Sequence, residues 1–210
     1  MEICRSCIIF VLILAACQSA PAVSDLPFRD GFDNPGSGWT TVDTDPLRII
    51  YQDGALHFQV NAPDSAAWAV AGKRLDDFIL DVDAMQIEGS DNNHYGVIVR
   101  YTDEKNFYRL DISGDGYYSI QRYKDGAWEV LINWPESAAI KQGATTNHLR
   151  VIAEGPKLTW VVNGTTVAQI EDADILAGDI GLTAGTFPDE PGVHVAFDNI
   201  EVTPLEKPDK

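Results

Sequence analysis

The fold is decided by residues 94–132, which read HYGVIVRYTDEKNFYRLDISGDGYYSIQRYKDGAWEVLI. Short runs rich in β-branched and aromatic residues alternate in this stretch with the turn sequences Gly114-Asp115-Gly116 and Asp125-Gly126. Asp-Gly pairs accept the positive φ angles of the tight turns that join twisted antiparallel strands. The stretch therefore predicts a meander of consecutive antiparallel strands.

The same signals continue on both sides of this meander. Asp53-Gly54 and Asn163-Gly164 separate further strand-like runs, and no window of helical length has a 3.6-residue period. We expect at most a short helical turn over 171–177. The pattern predicts an all-β sandwich or jelly roll, with strands near 47–52, 55–61, 66–72, 78–88, 94–102, 106–113, 117–124, 127–133, 147–154, 157–163, 166–170, 179–186 and 193–203.

Charge and length limit the classes of function. The 210 residues include 15 Lys plus Arg and 32 Asp plus Glu, which gives a formal net charge of -17. Because phosphate binding needs clustered basic side chains, this balance argues against a nucleic-acid partner. No linker or repeat interrupts 27–203, so we predict one domain there, followed by a polar tail at 204–210.

The N-terminus has the pattern of an export signal. Residues 8–16 form an apolar run that is shorter than the roughly 20 residues of a membrane-spanning helix. The run ends at Leu14-Ala15-Ala16-Cys17, which resembles the bacterial lipobox, where the cysteine becomes the lipidated first residue. An ordinary secretory signal cut near Ala20 is the alternative. We predict a signal peptide at 1–16, a tether at 17–26, and a cell-envelope location facing the extracytoplasmic side, with the lipid as the only membrane contact.

The three cysteines belong to this N-terminal segment. They are Cys4, Cys7 and Cys17, and residues 18–210 contain none. This excludes a disulfide framework, a thiolate metal site and a cysteine nucleophile from the predicted domain.

Six motifs follow one another along the chain, and their order carries a family resemblance. They are 28–39 (FRDGFDNPGSGW), 95–101 (YGVIVRY), 106–112 (NFYRLDI), 160–164 (WVVNG), 178–182 (GDIGL) and 195–202 (VAFDNIEV). This succession resembles the concanavalin A-like lectin/glucanase superfamily, in particular its bacterial laminin-G-like and 3-keto-disaccharide hydrolase-like extracellular domains, over nearly all of 27–203. The resemblance implies a jelly roll of two curved antiparallel sheets, with sugars bound on the concave face or its rim. It does not select a function, because the superfamily contains lectins, adhesion modules and glycosidases.

Few residues suit catalysis. Laminarinase-type relatives carry Glu-x-Asp-x-x-Glu or Glu-x-Asp-x-Glu, but here Asp81 and Asp83 share a strand face with Met85 and both glutamates are missing. We interpret this segment as a solvated strand face. For an enzyme of the 3-keto-disaccharide hydrolase type, the candidate acid or base groups are His94, Asp111 and Asp81. The sequence has no Ser-His-Asp set and no HExxH motif.

A binding site is predicted on three neighbouring strands. Within 94–101, 107–112 and 117–123, side chains alternate between the two faces, so aligned registers would bring polar residues together. Such a face suits a sugar, whose hydroxyl groups need planar polar partners and whose C–H faces stack on aromatic rings. The alternative is an ordinary half-exposed sheet with tyrosines at its margin. The predicted ligand-binding residues are Arg100, Arg109, Asp111, Gln121, Tyr95, Trp128 and Trp134.

The five tryptophans fall into two groups. We interpret Trp39, Trp68 and Trp160 as core or sheet-packing residues. Trp128 and Trp134 flank a short strand beside a proline, so they are the exposed candidates for stacking on a ligand.

A structural calcium is the metal that the sequence suggests, although nothing in it requires a cofactor. Hard oxygen ligands suit calcium, and related sandwiches hold it between the first and last strands. Asp30 or Asp33 with Asp198 would fit that arrangement. Chance proximity among the 32 acidic residues is the alternative.

Three functions follow from these patterns. We expect a surface-anchored lipoprotein whose domain binds carbohydrate or a cell-surface glycan without catalysis. The first alternative is a glycoside-cleaving enzyme of the 3-keto-disaccharide hydrolase type. The second is a structural module of the envelope with no small ligand.

Overall fold

The computed structural model describes residues 25–205, and within that range it contains fifteen β-strands and no helix. Accordingly, no helix in this part of the chain has the length and apolar character needed to cross a membrane. The signal peptide predicted at 1–16, the lipidation of Cys17 and most of the predicted tether and tail lie outside the described residues. The strands are β1 (Phe28–Asp30), β2 (Val42–Thr44), β3 (Leu47–Gln52), β4 (Ala55–Val60), β5 (Ser65–Val70), β6 (Phe78–Gly89), β7 (His94–Asp103), β8 (Asn106–Ser113), β9 (Tyr118–Lys124), β10 (Ala127–Ile132), β11 (Asn147–Glu154), β12 (Lys157–Val162), β13 (Thr165–Glu171), β14 (Asp179–Thr186) and β15 (Val193–Thr203).

The strands form two antiparallel sheets. The six-stranded sheet has the order β10-β9-β8-β7-β14-β5, so that the meander predicted from residues 94–132 supplies four adjacent strands. The nine-stranded sheet has the order β13-β12-β11-β6-β15-β4-β3-β2, and β1 pairs with the second half of β15. The chain is therefore an all-β sandwich of two antiparallel sheets, as the sequence predicts.

The core lies between the two sheets and follows the period-two alternation of the strands. Along β6, buried and partly exposed residues alternate from Phe78 onwards. Phe58 and Phe197 meet edge to face with ring centroids 5.3 Å apart, and Trp160 is fully buried. Burying each such side chain stabilises the fold by about 1.5–3 kcal/mol. The two outer faces are left for polar groups and ligands.

The hairpin turns confirm the reading of the Asp-Gly and Asn-Gly pairs. Asp53, Asp125 and Asn163 have φ angles of 51°, 52° and 49°. The strands predicted from the sequence are all present, but β1 and β2 were missed because three residues are too few to show a period. Residues 171–177 contain no helical turn, which is within the prediction of at most a short one, since the segment is the end of β13 followed by irregular chain.

Candidate functional site

A groove of about 600 Å³ lies on the outer face of the six-stranded sheet, and we call it the main groove. Its polar lining includes His94 of β7, Arg109 of β8 and Gln121 of β9. Its aromatic lining includes Trp68 of β5 and Trp128 of β10. Aromatic surface beside a few convergent polar groups is the composition expected of a small-molecule site.

Strand alternation and register bring the polar side chains together. In β8, Tyr108 and Leu110 belong to the core, so that Arg109 and Asp111 point outward. Register then places Arg109 opposite Gln121, and Asp111 opposite Ser119. In the structure the Arg109 guanidinium donates to Oε1 of Gln121 at 3.1 Å, and Nε2 of Gln121 donates to Oγ of Ser119 at 3.0 Å.

Asp111 and Arg109 form a buried ion pair beneath the groove. Nε of Arg109 lies 2.7 Å from Oδ2 of Asp111, and Asp111 has no exposed surface. The contact is poorly aligned, and within residues 25–205 no group donates a well-aligned hydrogen bond to either Asp111 oxygen. Burial alone would raise the pKa of Asp111, but the positive charge of Arg109 and the nearby His94 outweigh it and lower that pKa. The carboxylate is therefore a buried negative charge that acts on a ligand only through its neighbours.

His94 stands between Asp111 and the groove. Its Nδ1 lies 3.6 Å from Oδ2 of Asp111, and only 4% of the residue is exposed. The ring packs against Phe187 and Trp134, with centroid distances of 5.4 and 6.2 Å. Gly185 makes room for it, because a Cβ at that position would lie 2.5 Å from Cε1 of His94. One edge of the imidazole thus faces the Asp111 carboxylate, and another edge faces the main groove.

Aromatic rings extend along the groove from Arg109. The Arg109 guanidinium lies 4.5 Å from the ring centroid of Trp128, a cation–π distance. Trp128 also contacts Tyr123 and Phe107, with centroids 4.5 and 5.7 Å away, and Phe107 contacts Trp68 at 5.8 Å. Because Trp128 keeps 46% of its surface exposed, it offers a platform for a ligand while it covers the arginine.

The structure brings together most of the side chains that the sequence singled out. His94, Arg109 and Gln121 line the main groove with Trp128, and Asp111 lies directly beneath them. Trp134 is half-buried beside His94 and lines an adjoining cavity.

Tyr95 and Arg100 do not reach the groove, which corrects their predicted ligand-binding role. Tyr95 faces the core with no exposed surface and accepts from Nδ2 of Asn147 at 3.3 Å, and burial raises its pKa to about 12. Arg100 has a φ angle of 56° where the pairing of β7 with β8 shifts register. This irregularity interrupts the side-chain alternation on which the prediction depended. The Arg100 guanidinium instead donates hydrogen bonds to the backbone carbonyls of Ile175 and Gly155.

Asp81 lies in the other sheet, on the outer face of β6, and so takes no part in the main groove. It forms an ion pair with Arg150, with Nε 2.7 Å from Oδ1, and it contacts Nε2 of His148 at 2.9 Å. The other nitrogen of His148 lies 2.9 Å from Oδ1 of Asp83. The partnered carboxylates agree with the interpretation of a solvated strand face.

Of the three aspartates proposed for calcium, Asp30 lies in β1 and pairs with Ile200 of β15, and Asp198 lies two residues before Ile200. Asp30 accepts from the backbone N–H of Phe32 and from Nε1 of Trp39, at 2.8 and 3.0 Å. Asp198 accepts a hydrogen bond from the backbone N–H of the next residue. Asp33 lies beside the turn between β3 and β4, since a Cβ on Gly54 would lie 3.1 Å from its Oδ1. Among residues 25–205 there is no group of three His, Cys, Asp or Glu side chains that could hold a metal ion. The calcium expectation stays a prediction.

Four aromatic residues of the main groove were not among the predicted ligand-binding residues: Trp68, Phe107, Tyr123 and Phe187. Trp68 was assigned to sheet packing, yet it lines the main groove because the core positions of β5 belong to Ala67 and Ala69. That alternation of small and large side chains was the signal that could have identified it. Tyr123 follows Gln121 on the same strand face and could have been found in the same way, whereas Phe187 lies in the loop after β14 and has no local signal.

Comparison with protein families resolves the family of the chain. Residues 27–203 match the family described as the 3-keto-alpha-glucoside-1,2-lyase-like domain. The chain belongs to this family. As a 3-keto-alpha-glucoside-1,2-lyase-like domain, it is a sugar-related β-sandwich. It matches none of the curated proteins with which it was compared.

Solved structures share the fold of this 3-keto-alpha-glucoside-1,2-lyase-like domain. The carbohydrate-binding module CBM66 from Bacillus subtilis aligns with a TM-score of 0.63 at 19% identity, over 80% of this chain and 96% of the module. The GH43 protein BlXynB from Bacillus licheniformis aligns with a TM-score of 0.65 at 14% identity, over 84% of this chain but only 39% of that protein. A Bacillus subtilis protein of unknown function with a galectin-like fold aligns with a TM-score of 0.64 at 10% identity, over 84% of this chain and 94% of that one. At these identities the likeness concerns the fold alone.

Proposed function

We propose that the main groove binds a carbohydrate, and that α-glucosides are the class to which its ligand belongs. The observation that carries the proposal is Trp128, which is 46% exposed above the Arg109–Gln121 pair. A pyranose could stack its C–H face on the indole while its hydroxyl groups bond to the guanidinium and the amide. The family description supplies the α-glucoside class.

The groove has further properties that suit a neutral sugar. Arg109 and Asp111 pair with each other, so that the polar lining offers hydrogen bonds with little net charge. The volume of about 600 Å³ is within the range of small-molecule sites. The CBM66 module, a carbohydrate-binding module of the same fold, supports a binding role for such a domain.

Replacing the exposed tryptophan tests this proposal. On a glycan array and in calorimetry with the positive glycans, Trp128→Ala should weaken binding about tenfold, because stacking area and the cover of Arg109 are both lost. Leu176→Ala is the matched control, since Leu176 is also 46% exposed but does not line the groove. Equal affinity for the wild type and Trp128→Ala, or no binding to any glycan, would contradict the proposal.

A second candidate function is cleavage of 3-keto-glucosides, and the His94–Asp111 pair favours it. In a 1,2-elimination the C2–H bond breaks, its electrons form a C1=C2 double bond, and the C1–O bond breaks with its electrons on the leaving oxygen. The ketone at C3 makes the C2 proton acidic. His94 would accept that proton and return it to the leaving oxygen, while the negative charge of Asp111 would stabilise the imidazolium.

Turnover separates the two functions. We expect the wild type to bind glycans without consuming 3-keto-glucosides, monitored by chromatography of the sugar products. Turnover that disappears in His94→Ala but persists, with a higher KM, in Trp128→Ala would instead establish the lyase.

We also propose that the domain is held at the cell envelope by a lipid on Cys17. The proposal rests on the apolar run at 8–16 and the Leu14-Ala15-Ala16-Cys17 sequence that ends it. Labelling of the expressed chain with radioactive palmitate should mark the wild type and not Cys17→Ser. Equal labelling of both would exclude Cys17 as the attachment point.

A further inference from the structure

A second cavity of about 430 Å³ adjoins the main groove. It is lined by Asn92, Ser113, Asp115, Tyr117, Trp134 and Phe187. Phe187 lines both spaces, so they lie on either side of one side chain. A ligand longer than one sugar unit could therefore extend from one into the other.

The boundary between the two spaces is aromatic. The rings of Phe187 and Trp134 are 5.8 Å apart, and both pack on His94, which lines the main groove. Phe187 is half-buried, which leaves part of its ring available to the apolar face of a sugar linkage. The surface that connects the two spaces is thus apolar rather than charged.

The lining of the second cavity repeats the chemistry of the main groove with different residues. Asp115 supplies a carboxylate that accepts a hydrogen bond from Oγ of Ser113, and Asn92 supplies an exposed amide. Tyr117 is 38% exposed and supplies an aromatic ring. Planar polar groups beside an exposed ring are the features that bind sugar hydroxyl groups and C–H faces.

The turn that carries these groups is fixed before any ligand binds. The backbone N–H of Asp115 donates to the carbonyl of Asp91 at 2.9 Å, and Nε2 of Gln142 donates to the carbonyl of Asp115 at 2.9 Å. Pairing of Tyr117 with Glu136 connects the turn to the segment after β10. Such pre-organisation lowers the entropy that a ligand must lose on binding.

Trp134 shows backbone strain at this position. Its φ angle is 46°, in the left-handed region that bulky residues rarely adopt. The conformation is held by the next residue, because the carbonyl of Pro135 accepts from the N–H of Tyr118 at 3.1 Å. Backbone strain of this kind is found most often at sites that position a ligand.

We propose that the second cavity is a further sugar subsite, so that the ligand is at least a disaccharide whose linkage crosses Phe187. This inference rests on the proposed function of the main groove. One sugar unit lies against Trp128, and the next lies between Tyr117 and Trp134, with hydroxyl groups bonded to Asp115 and Asn92.

Calorimetry with sugars of two lengths tests the inference. The probes are methyl α-glucoside and the disaccharides trehalose, kojibiose, nigerose, maltose and isomaltose. At least one disaccharide should bind the wild type about fivefold to tenfold more tightly than methyl α-glucoside. Tyr117→Ala and Asp115→Asn should each remove most of that gain and leave the affinity for methyl α-glucoside unchanged.

Asp125→Asn is the matched control, since it makes the same change in an exposed turn that lines neither space. Asparagine also accepts the positive φ angle of Asp125. If all six probes bind alike and the subsite variants change nothing, the subsite is wrong while the proposed function stands. If none of the probes binds, the proposed α-glucoside function fails and the subsite fails with it.

Discussion

Burial distinguishes Asp111 from the other ion-paired carboxylates of the molecule. Its oxygen lies 2.7 Å from Nε of Arg109 with no exposed surface, whereas the same 2.7 Å contact between Asp43 and Arg48 is exposed. In a low-dielectric environment, an arginine that loses its partner remains as an uncompensated charge. Where the ion pair is exposed, water screens the charge that remains after its partner is removed.

This contrast gives a prediction at the scale of single residues. Asp111→Asn should lower the free energy of unfolding by about 3 kcal/mol, because it leaves the Arg109 charge buried and unpaired. Asp43→Asn, which removes an exposed partner at the same distance, should cost less than about 1 kcal/mol. Urea denaturation of the three proteins provides the measurement. Similar costs for the two variants would contradict the importance of burial.

At the scale of the element, the irregular end of β7 divides its side chains between two roles. Up to Val99 the strand alternates between the core and the outer face of the sheet, and on that outer face His94 lines the main groove. At Arg100 the left-handed backbone sends the side chain to the carbonyls of Gly155 and Ile175, which belong to chain segments outside the six-stranded sheet. The same strand therefore serves the ligand site at one end and holds loops in place at the other.

Arg100→Met tests this division. The two carbonyls would lose their charged donor, so we expect the free energy of unfolding to fall by about 2 kcal/mol. Glycan affinity should stay within about twofold of the wild type, because Arg100 does not line the main groove and gives no hydrogen bond to a ligand there. Calorimetry and urea denaturation measure the two quantities separately. A loss of affinity without a loss of stability would place Arg100 at the ligand after all.

The stability of the whole molecule depends on two histidine sites of the nine-stranded sheet, which respond to pH in opposite directions. Nδ1 of His57 lies 2.8 Å from Nε2 of His194, and burial lowers the pKa of both. Burial would also lower the pKa of His148, but hydrogen bonds to Asp83 and Asp81 outweigh it, and that pKa is raised. In the unfolded chain all three histidines have a pKa of about 6.5.

The folded and unfolded states bind different numbers of protons near these pKa values, so stability depends on pH. As pH falls below about 6.5, the unfolded chain protonates His57 and His194 before the folded protein does, so their contribution to stability is lost. His57→Gln should therefore lose less stability than the wild type between about pH 7.5 and about pH 5.5. Urea midpoints at the two pH values check this. A loss as large as that of the wild type would mean that the pair does not titrate in this range.

His148→Gln is the counterpart with the opposite sign. The raised pKa of His148 gives stability that is present at low pH and is lost as pH rises through its folded pKa. Without this histidine, the protein should lose more stability than the wild type over the same acidification. The two variants on one sheet thus distinguish a buried neutral pair from a histidine held between carboxylates.

The sequence alone was enough to predict the fold class and thirteen of the fifteen strands, all but β1 and β2. Side-chain alternation and the turns at Asp53, Asp125 and Asn163 are local properties, because a strand has a period of two and few residues accept positive φ angles. For the same reason it predicted that Arg109, Asp111 and Gln121 share a face, since each lies on a regular strand within one meander.

Which strand face meets the core, and which residues surround the site, depend on how the two sheets pack. Tyr95 and Arg100 were placed wrongly because the sequence does not show which alternation is inward or where a register shift occurs. Trp68 reaches the main groove from β5, and Phe187 reaches it from the loop after β14. Their positions depend on the pairing of β5 with β14 and of β14 with β7, which joins segments far apart in the chain. A groove is a property of several strands packed side by side, so its depth and its lining exist only once the sheets have assembled.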